Sequence, residues 1–115
     1  MRLTTGMVQL RARALTAFDS RDLTNVRRAF EGASACALRQ AWRPEPEKRF
    51  APGNVRVGWR DDEFLVFAEL WDADIFSRAT ALNQRLWELG DAFEIFLKAV
   101  QREDYVEFQV SPNGG

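Results

Sequence analysis

Residues 86–98 read LWELGDAFEIFLK, a mostly apolar run that holds Trp87, Asp91 and Glu94. These three types suit a ligand with a flat apolar face and a rim of hydroxyls. An indole offers a plate for the face. A carboxylate offers strong acceptors for the rim, and charge-assisted hydrogen bonds are the stronger kind. On a strand, Asp91, Phe93 and Ile95 point to one side and Ala92 and Glu94 to the other. Glu94 would then face a polar surface while Phe93 and Ile95 enter a core. Glycoside hydrolysis would need two carboxyls flanking one bond at about 5–9.5 Å. Asp91 and Glu94, three apart on a strand, face opposite ways, which argues against that chemistry. Simpler roles stand beside these. Trp87 could plug the end of a sheet sandwich, Asp91 could cap a turn after Gly90, and Glu94 could be one acid on a solvated face.

Other chemistry is excluded by composition. Histidine is absent, so no Ser-His-Asp or Cys-His machinery and no His-ligated zinc or haem can form. Cys36 is the single cysteine, which rules out an internal disulfide or a thiolate metal site and reads as a buried thiol. Catalysis would have to rest on carboxylates, Lys, Tyr or Ser, and a non-enzymatic role is the stronger expectation. The hydrophobic share of 46% and charged share of 29% are those of a soluble globular domain. No stretch nears the roughly 20 apolar residues of a membrane span. The opening MRLTTGMVQLRARA has no continuous apolar run, so no signal peptide and no membrane partner are expected. Residues 1–49 carry 10 Lys or Arg against 5 acids, and residues 50–115 carry 6 against 12. The basic residues of the first part are dispersed, Arg11, Arg13, Arg27 and Arg28 have no aromatic stacking partners interleaved, and they read as a solvated face rather than a nucleic-acid surface.

The elements that would position Trp87 and Glu94 follow from periodicity. SRDLTNVRRAFE at 20–31 reads as a helix, with Leu23, Val26 and Phe30 on one face, Asp19 or Ser20 as cap, and Gly32 at its end. VQLRARAL at 8–15 fits either a strand or a helix. From residue 33 to Trp42 a strand is permitted. Pro44, Pro46 and Pro52 then mark an irregular connection. VRVGW at 55–59 alternates, with Val55, Val57 and Trp59 on one face. RDDE at 60–63 is a break of hairpin length. FLVFAELW at 64–71 reads as a largely buried strand. Residues 75–86 read as irregular or one helical turn. AFEIFLKAV at 92–100 is a strand whose alternation fails at Phe96. QRED breaks it, YVEFQV at 105–110 is a clear strand, and SPNGG is a turn. Trp42, Trp59 and Trp71 are expected in the core or at sheet edges.

Short strands with polar turns indicate an all-β fold, an antiparallel and incomplete β-sandwich with a short helical N-terminal segment. The expected organisation is a basic, partly helical segment over 1–32 and the front part of a sandwich over 33–115. SPNGG should lead into a further strand, so YVEFQV is expected near an unprotected edge, where self-association can occur.

The stretches VGWRDDEFLVFAELWDADIF, NQRLWELGDAFEIFL and YVEFQVSPNG resemble the family 9 carbohydrate-binding modules and the wider DOMON-like group. The likeness spans about residues 55–114, and Gly90 adds one residue to the usual gap between Trp and Asp. The resemblance implies a jelly-roll-like sandwich and a mono- or oligosaccharide ligand, in some cases within an accessory domain of a carbohydrate-degrading enzyme. It implies Trp87 as a stacking plate and Glu94 as an acceptor for sugar hydroxyls. Gln109 stands where relatives place a sugar-bonding arginine, and Asp91 belongs to the same signature. A second stacking tryptophan lies in a C-terminal part of those domains. Some relatives carry structural calcium, for which Asp61, Asp62, Asp72 and Asp74 are the candidates. Related modules are often secreted or periplasmic. The competing expectation is a structural or interaction domain with no sugar site.

Overall fold

In the computed structural model, which describes residues 8–114, the helical segment forms α1, Leu23–Phe30. The first seven residues of the basic segment, with Met1 and Met7, and the final Gly115 lie outside the described residues. Asp22 is the N-cap, not Asp19 or Ser20. Its Oδ1 accepts from the backbone N–H of Thr24 at 2.9 Å and of Asn25 at 3.3 Å, two donors that a first turn leaves without helical partners. Asp19 instead accepts from Arg21, whose guanidinium holds the Asp19 carboxyl below the ordinary carboxylate range. Glu31, not Gly32, closes the helix, its N–H donating to Arg28 O at 3.3 Å.

Six strands accompany the helix: β1 (Arg13–Ala14), β2 (Cys36–Ala37), β3 (Asn54–Arg60), β4 (Glu63–Glu69), β5 (Phe93–Leu97) and β6 (Val106–Val110). They form a four-stranded and a two-stranded sheet, so the described residues make a small β-rich fold with one α-helix. The chain divides into two compact units, Met1–Trp71 and Asp72–Gly115. Within the first unit, β1 pairs with β3 and α1 packs on β3 and β4.

In the first unit β3 and β4 are antiparallel from Asn54↔Glu69 to Arg60↔Glu63. The two-residue connection Asp61-Asp62 has Asp61 at φ 52°, a region that Asp tolerates better than most residues. The other edge of β3 is shared by β2, antiparallel at Val55, and by β1, parallel at Gly58 and Trp59. The parallel pair departs from the purely antiparallel expectation. It forms because Leu15 N–H reaches Trp59 O at 2.8 Å while the Leu15 side chain lies where a Cβ at Gly58 would be, 2.6 Å away.

The cross-strand pairs assign the faces. Arg56, Gly58, Leu65 and Phe67 face α1; Val55, Val57, Trp59, Phe64, Val66 and Ala68 face the other way. Phe30, only 2% exposed, packs its ring against Phe18 (6.2 Å between centroids) and Phe67 (5.4 Å). Arg60 lies over the Phe18 ring at 4.5 Å. Arg27 pairs with Glu69 at 2.9 Å and ties the helix to β4. The core therefore lies under the helix, on the face opposite Val55, Val57 and Trp59. FLVFAELW forms a strand over 63–69, but none of its residues is fully buried, and Phe64 is exposed. Trp42, Trp59 and Trp71 are exposed rather than in the core. Cys36 is half-buried. Among the described residues, Phe30, Ala33, Ala79 and Leu86 are the buried apolar side chains.

In the second unit β5 and β6 pair antiparallel from Phe93↔Val110 to Leu97↔Val106. Phe93, Ile95, Leu97, Val106, Phe108 and Val110 share one face. Glu94, Phe96, Glu107 and Gln109 share the other. No helix of the described residues is long and apolar enough to cross a membrane.

Candidate functional site

The candidate residues all lie in the second unit, on a closed loop and the hairpin that follows it. The loop ends are pinned together. Ser77 and Gly90 form an isolated antiparallel bridge. Arg78 N–H donates to Leu89 O at 2.8 Å, and Asp91 N–H donates to Phe76 O at 2.9 Å. Gly90 has φ 146°, and a Cβ there would lie 2.4 Å from Phe76 O. The extra residue between Trp87 and Asp91 is thus the one that lets the two loop ends meet.

Asp91 serves this closure. Its Oδ2 accepts from Phe76 N–H at 2.8 Å, so the carboxylate caps a backbone donor fifteen residues away. This is the turn-capping role foreseen for Asp91, with a distant partner. Within the loop, Gln84 Oε1 accepts from the N–H groups of Thr80 (2.7 Å) and Ala81 (3.0 Å). A 3-10 turn follows at Leu86–Glu88. Leu86 is buried and anchors the turn. Its neighbour Trp87 points outward and is 55% exposed. On the far side, Asn113 Nδ2 donates to Ala79 O at 2.7 Å, so the SPNG turn is fastened to the same loop.

Glu94 and Gln109 are brought together as a direct cross-strand pair. Gln109 Nε2 donates to Glu94 Oε1 at 3.2 Å and to Glu107 Oε1 at 2.6 Å. One amide nitrogen thereby holds two carboxylates on one face of the hairpin. Beside them Phe96 and Tyr105 form a tilted ring pair, 5.8 Å between centroids. Glu107, Phe96 and Tyr105 are absent from the sequence-derived site. Two signals were available. YVEFQV alternates so that Tyr105, Glu107 and Gln109 share a face, and Phe96 breaks the alternation of FEIFLK because it belongs to the polar side. Trp87 is tied to Glu94 and Gln109 by no hydrogen bond or ring contact among the described residues. The structure brings Glu94 and Gln109 together, and leaves Trp87 open on the preceding turn.

The calcium expectation finds no fit. Among the described residues no group of three acids, Cys or His is arranged to hold a metal ion. Asp61 and Asp62 form the β3–β4 turn, and Asp72 Oδ1 accepts from Asp74 N–H at 2.9 Å. A groove of about 440 Å³ lies in the first unit, lined by Arg13, Leu15, Thr16, Arg28 and Ala33 among others. Arg13 there is committed to Gly32 O at 2.7 Å, at the carbonyl end of α1, where the helix dipole disfavours anions.

Comparison with family models, with curated proteins and with solved structures found no match.

Proposed function

We propose that this chain is a non-catalytic carbohydrate-binding domain, akin to the family 9 carbohydrate-binding modules and DOMON-like sandwiches. In this reading a sugar ring stacks on Trp87, and Glu94 and Gln109 bond its hydroxyls. The observation that carries it is the hydrogen-bonded Glu94–Gln109 cross-strand pair of β5–β6. Between them, the carboxylate and the amide supply acceptors and donors suited to hydroxyl groups. The exposed indole of Trp87 supplies an apolar plate. Asp91 belongs to the site as the clamp of the loop that presents Trp87. The sandwich architecture is part of the same proposal. It is supported by the apolar stripe that Phe93, Ile95, Leu97, Val106, Phe108 and Val110 form on one face of β5–β6.

A non-enzymatic role is supported by the engagement of Asp91 with Phe76 N–H, which leaves no Asp91–Glu94 carboxyl pair. The second reading, an interaction domain without a sugar site, is favoured by Trp59 and Phe64, exposed side by side on the β3–β4 face.

Titration of the 115-residue chain with glucose, cellobiose and xylo-oligosaccharides, followed by amide NMR shifts, separates the two. The sugar reading expects shifts at Glu94, Gln109 and the Trp87 indole N–H, with Kd in the millimolar range, about −4 kcal/mol. Shifts confined to β3 and β4, or none with any sugar, would leave the interaction domain.

A further inference from the structure

The two long strands of the first unit differ in how their edges are used. β3 pairs with β4 on one side and with β1 and β2 on the other, whereas β4 pairs with β3 alone. The phase of the β3–β4 ladder decides which groups of β4 are left over. Arg60 and Glu63 flank the two-residue turn and bond to each other, and every second pair does so as far as Asn54 and Glu69. Trp59 agrees with this phase, because its carbonyl turns away from β4 and accepts from Leu15 N–H at 2.8 Å. The N–H and C=O groups of Phe64, Val66 and Ala68 therefore point outward from the sheet. No backbone hydrogen bond among the described residues takes them up. Natural edges are blunted by lysine, proline or a bulge. The stretch 63–69, EFLVFAE, has neither Lys nor Pro, and its pairing with β3 runs unbroken.

This stretch is close to palindromic about Val66. Two copies laid antiparallel with Val66 opposite Val66 set Leu65 opposite Phe67, Phe64 opposite Ala68, and Glu63 opposite Glu69. This is the register the outward groups require, since Phe64, Val66 and Ala68 then meet one another across the new ladder. The side chains fit it. Phe64, 50% exposed, comes beside an alanine that leaves room for its ring. Glu63 opposite Glu69 would by itself set like charges together. Each acid, however, already has a cation within its own chain: Glu63 pairs with Arg60 at 3.1 Å, and Glu69 pairs with Arg27 at 2.9 Å. Both ends of the strand thus bring their own compensating charge to the contact.

We propose that β4 is a homodimerisation edge, on which a second copy of this chain adds its own β4 antiparallel about a two-fold axis at Val66. The contact is isologous and uses the free β4 edge of both copies, so at this edge it closes at two. It is distinct from the free edge of β6 in the second unit, and it does not depend on the carbohydrate reading.

The test is amide hydrogen exchange of the full chain, read by NMR at a low and at a hundredfold higher protein concentration. The amides of Phe64, Val66 and Ala68 should slow at least fivefold at the higher concentration, because only the second copy gives them acceptors. Leu65 and Phe67, bonded to β3 within the chain, should change less. A sample in which half the copies are isotope-labelled should show contacts between Leu65 of one copy and Phe67 of the other. Val66→Pro removes the central outward donor at an edge position where proline spares the β3–β4 ladder, and it should abolish the concentration dependence. Phe64→Lys, a change at an exposed side chain, should weaken the dimer at least tenfold and serves if the proline variant does not fold. Exchange at Phe64, Val66 and Ala68 that ignores concentration overturns the inference. An undiminished concentration dependence in Phe64→Lys overturns it too, as do contacts between copies that pair β4 with any strand other than β4.

Discussion

Gln109 stands directly across the β5–β6 ladder from Glu94, and its amide nitrogen donates to Glu94 Oε1 at 3.2 Å. The same nitrogen also serves Glu107. Removing it should leave two like charges without their shared donor. Glu94→Ala, which removes the acceptor, should therefore cost about 0.5–1 kcal/mol of stability in the native background, the usual worth of a hydrogen bond. In a Gln109→Ala background the same change should be neutral or stabilising. A double-mutant cycle by urea unfolding measures this, and an unchanged sign would show that the amide does not couple the two acids.

The loop that presents Trp87 depends on Gly90. A Cβ there would meet the Phe76 carbonyl at 2.4 Å and Ser77 Cα at 2.8 Å, both backbone atoms, from a φ of 146°. Gly90→Ala should cost about 2 kcal/mol or more, since strained backbone alone costs about 1–3 kcal/mol. Hydrogen exchange should localise the damage. The amides of Arg78 and Asp91, which bridge the loop ends, should lose protection first. Protection equal to that of the native chain would contradict the closed-loop geometry.

The first unit hangs on one side chain. Phe30 is the buried ring between Phe18 and Phe67. Phe30→Ala should cost about 3–5 kcal/mol, a large share of the stability of a small fold. Leu23→Ala, on the same helix but exposed, should stay within about 0.5 kcal/mol. Comparable losses from both, read by thermal melts, would place the core elsewhere.

How much of this was legible in the sequence depends on the element. The hairpin 54–69 and the strands of 93–110 follow from alternation and from polar breaks, which encode pairing locally. The face of β3 that meets the helix was not legible. Val55, Val57 and Trp59 carry the apolar stripe, yet Phe30 and Leu15 pack on the side of Arg56 and Gly58. Glycine makes room for Leu15 without adding hydrophobicity, so the pattern is silent about that contact. Glu94 and Gln109 could be placed on strands from sequence alone, but their mutual register is set by the β5–β6 pairing. Asp91 was legible as a turn former, though not its partner Phe76, because a loop closure fifteen residues long leaves no periodic trace.

Self-association through the β5–β6 edge is a separate prediction. The β5–β6 sheet has two strands, and its strands pair with no others among the described residues. Such edges recruit partners. Sedimentation equilibrium should show a concentration-dependent dimer. Val106→Lys, which places a charge on an exposed apolar position of β6, should shift the chain toward monomer. A monomer at every concentration would contradict recruitment through this edge.

The central claim is that the loop and hairpin of the second unit bind a sugar through Trp87 and Glu94. Its most direct measurement is the affinity of the Trp87→Ala chain for the tightest-binding oligosaccharide, read by NMR titration beside the native chain. Loss of the stacking plate should weaken binding by about 1 kcal/mol, roughly fivefold, by analogy with aromatic pairs, while the β5–β6 amide shifts stay native. An affinity unchanged by Trp87→Ala would contradict the site as assigned.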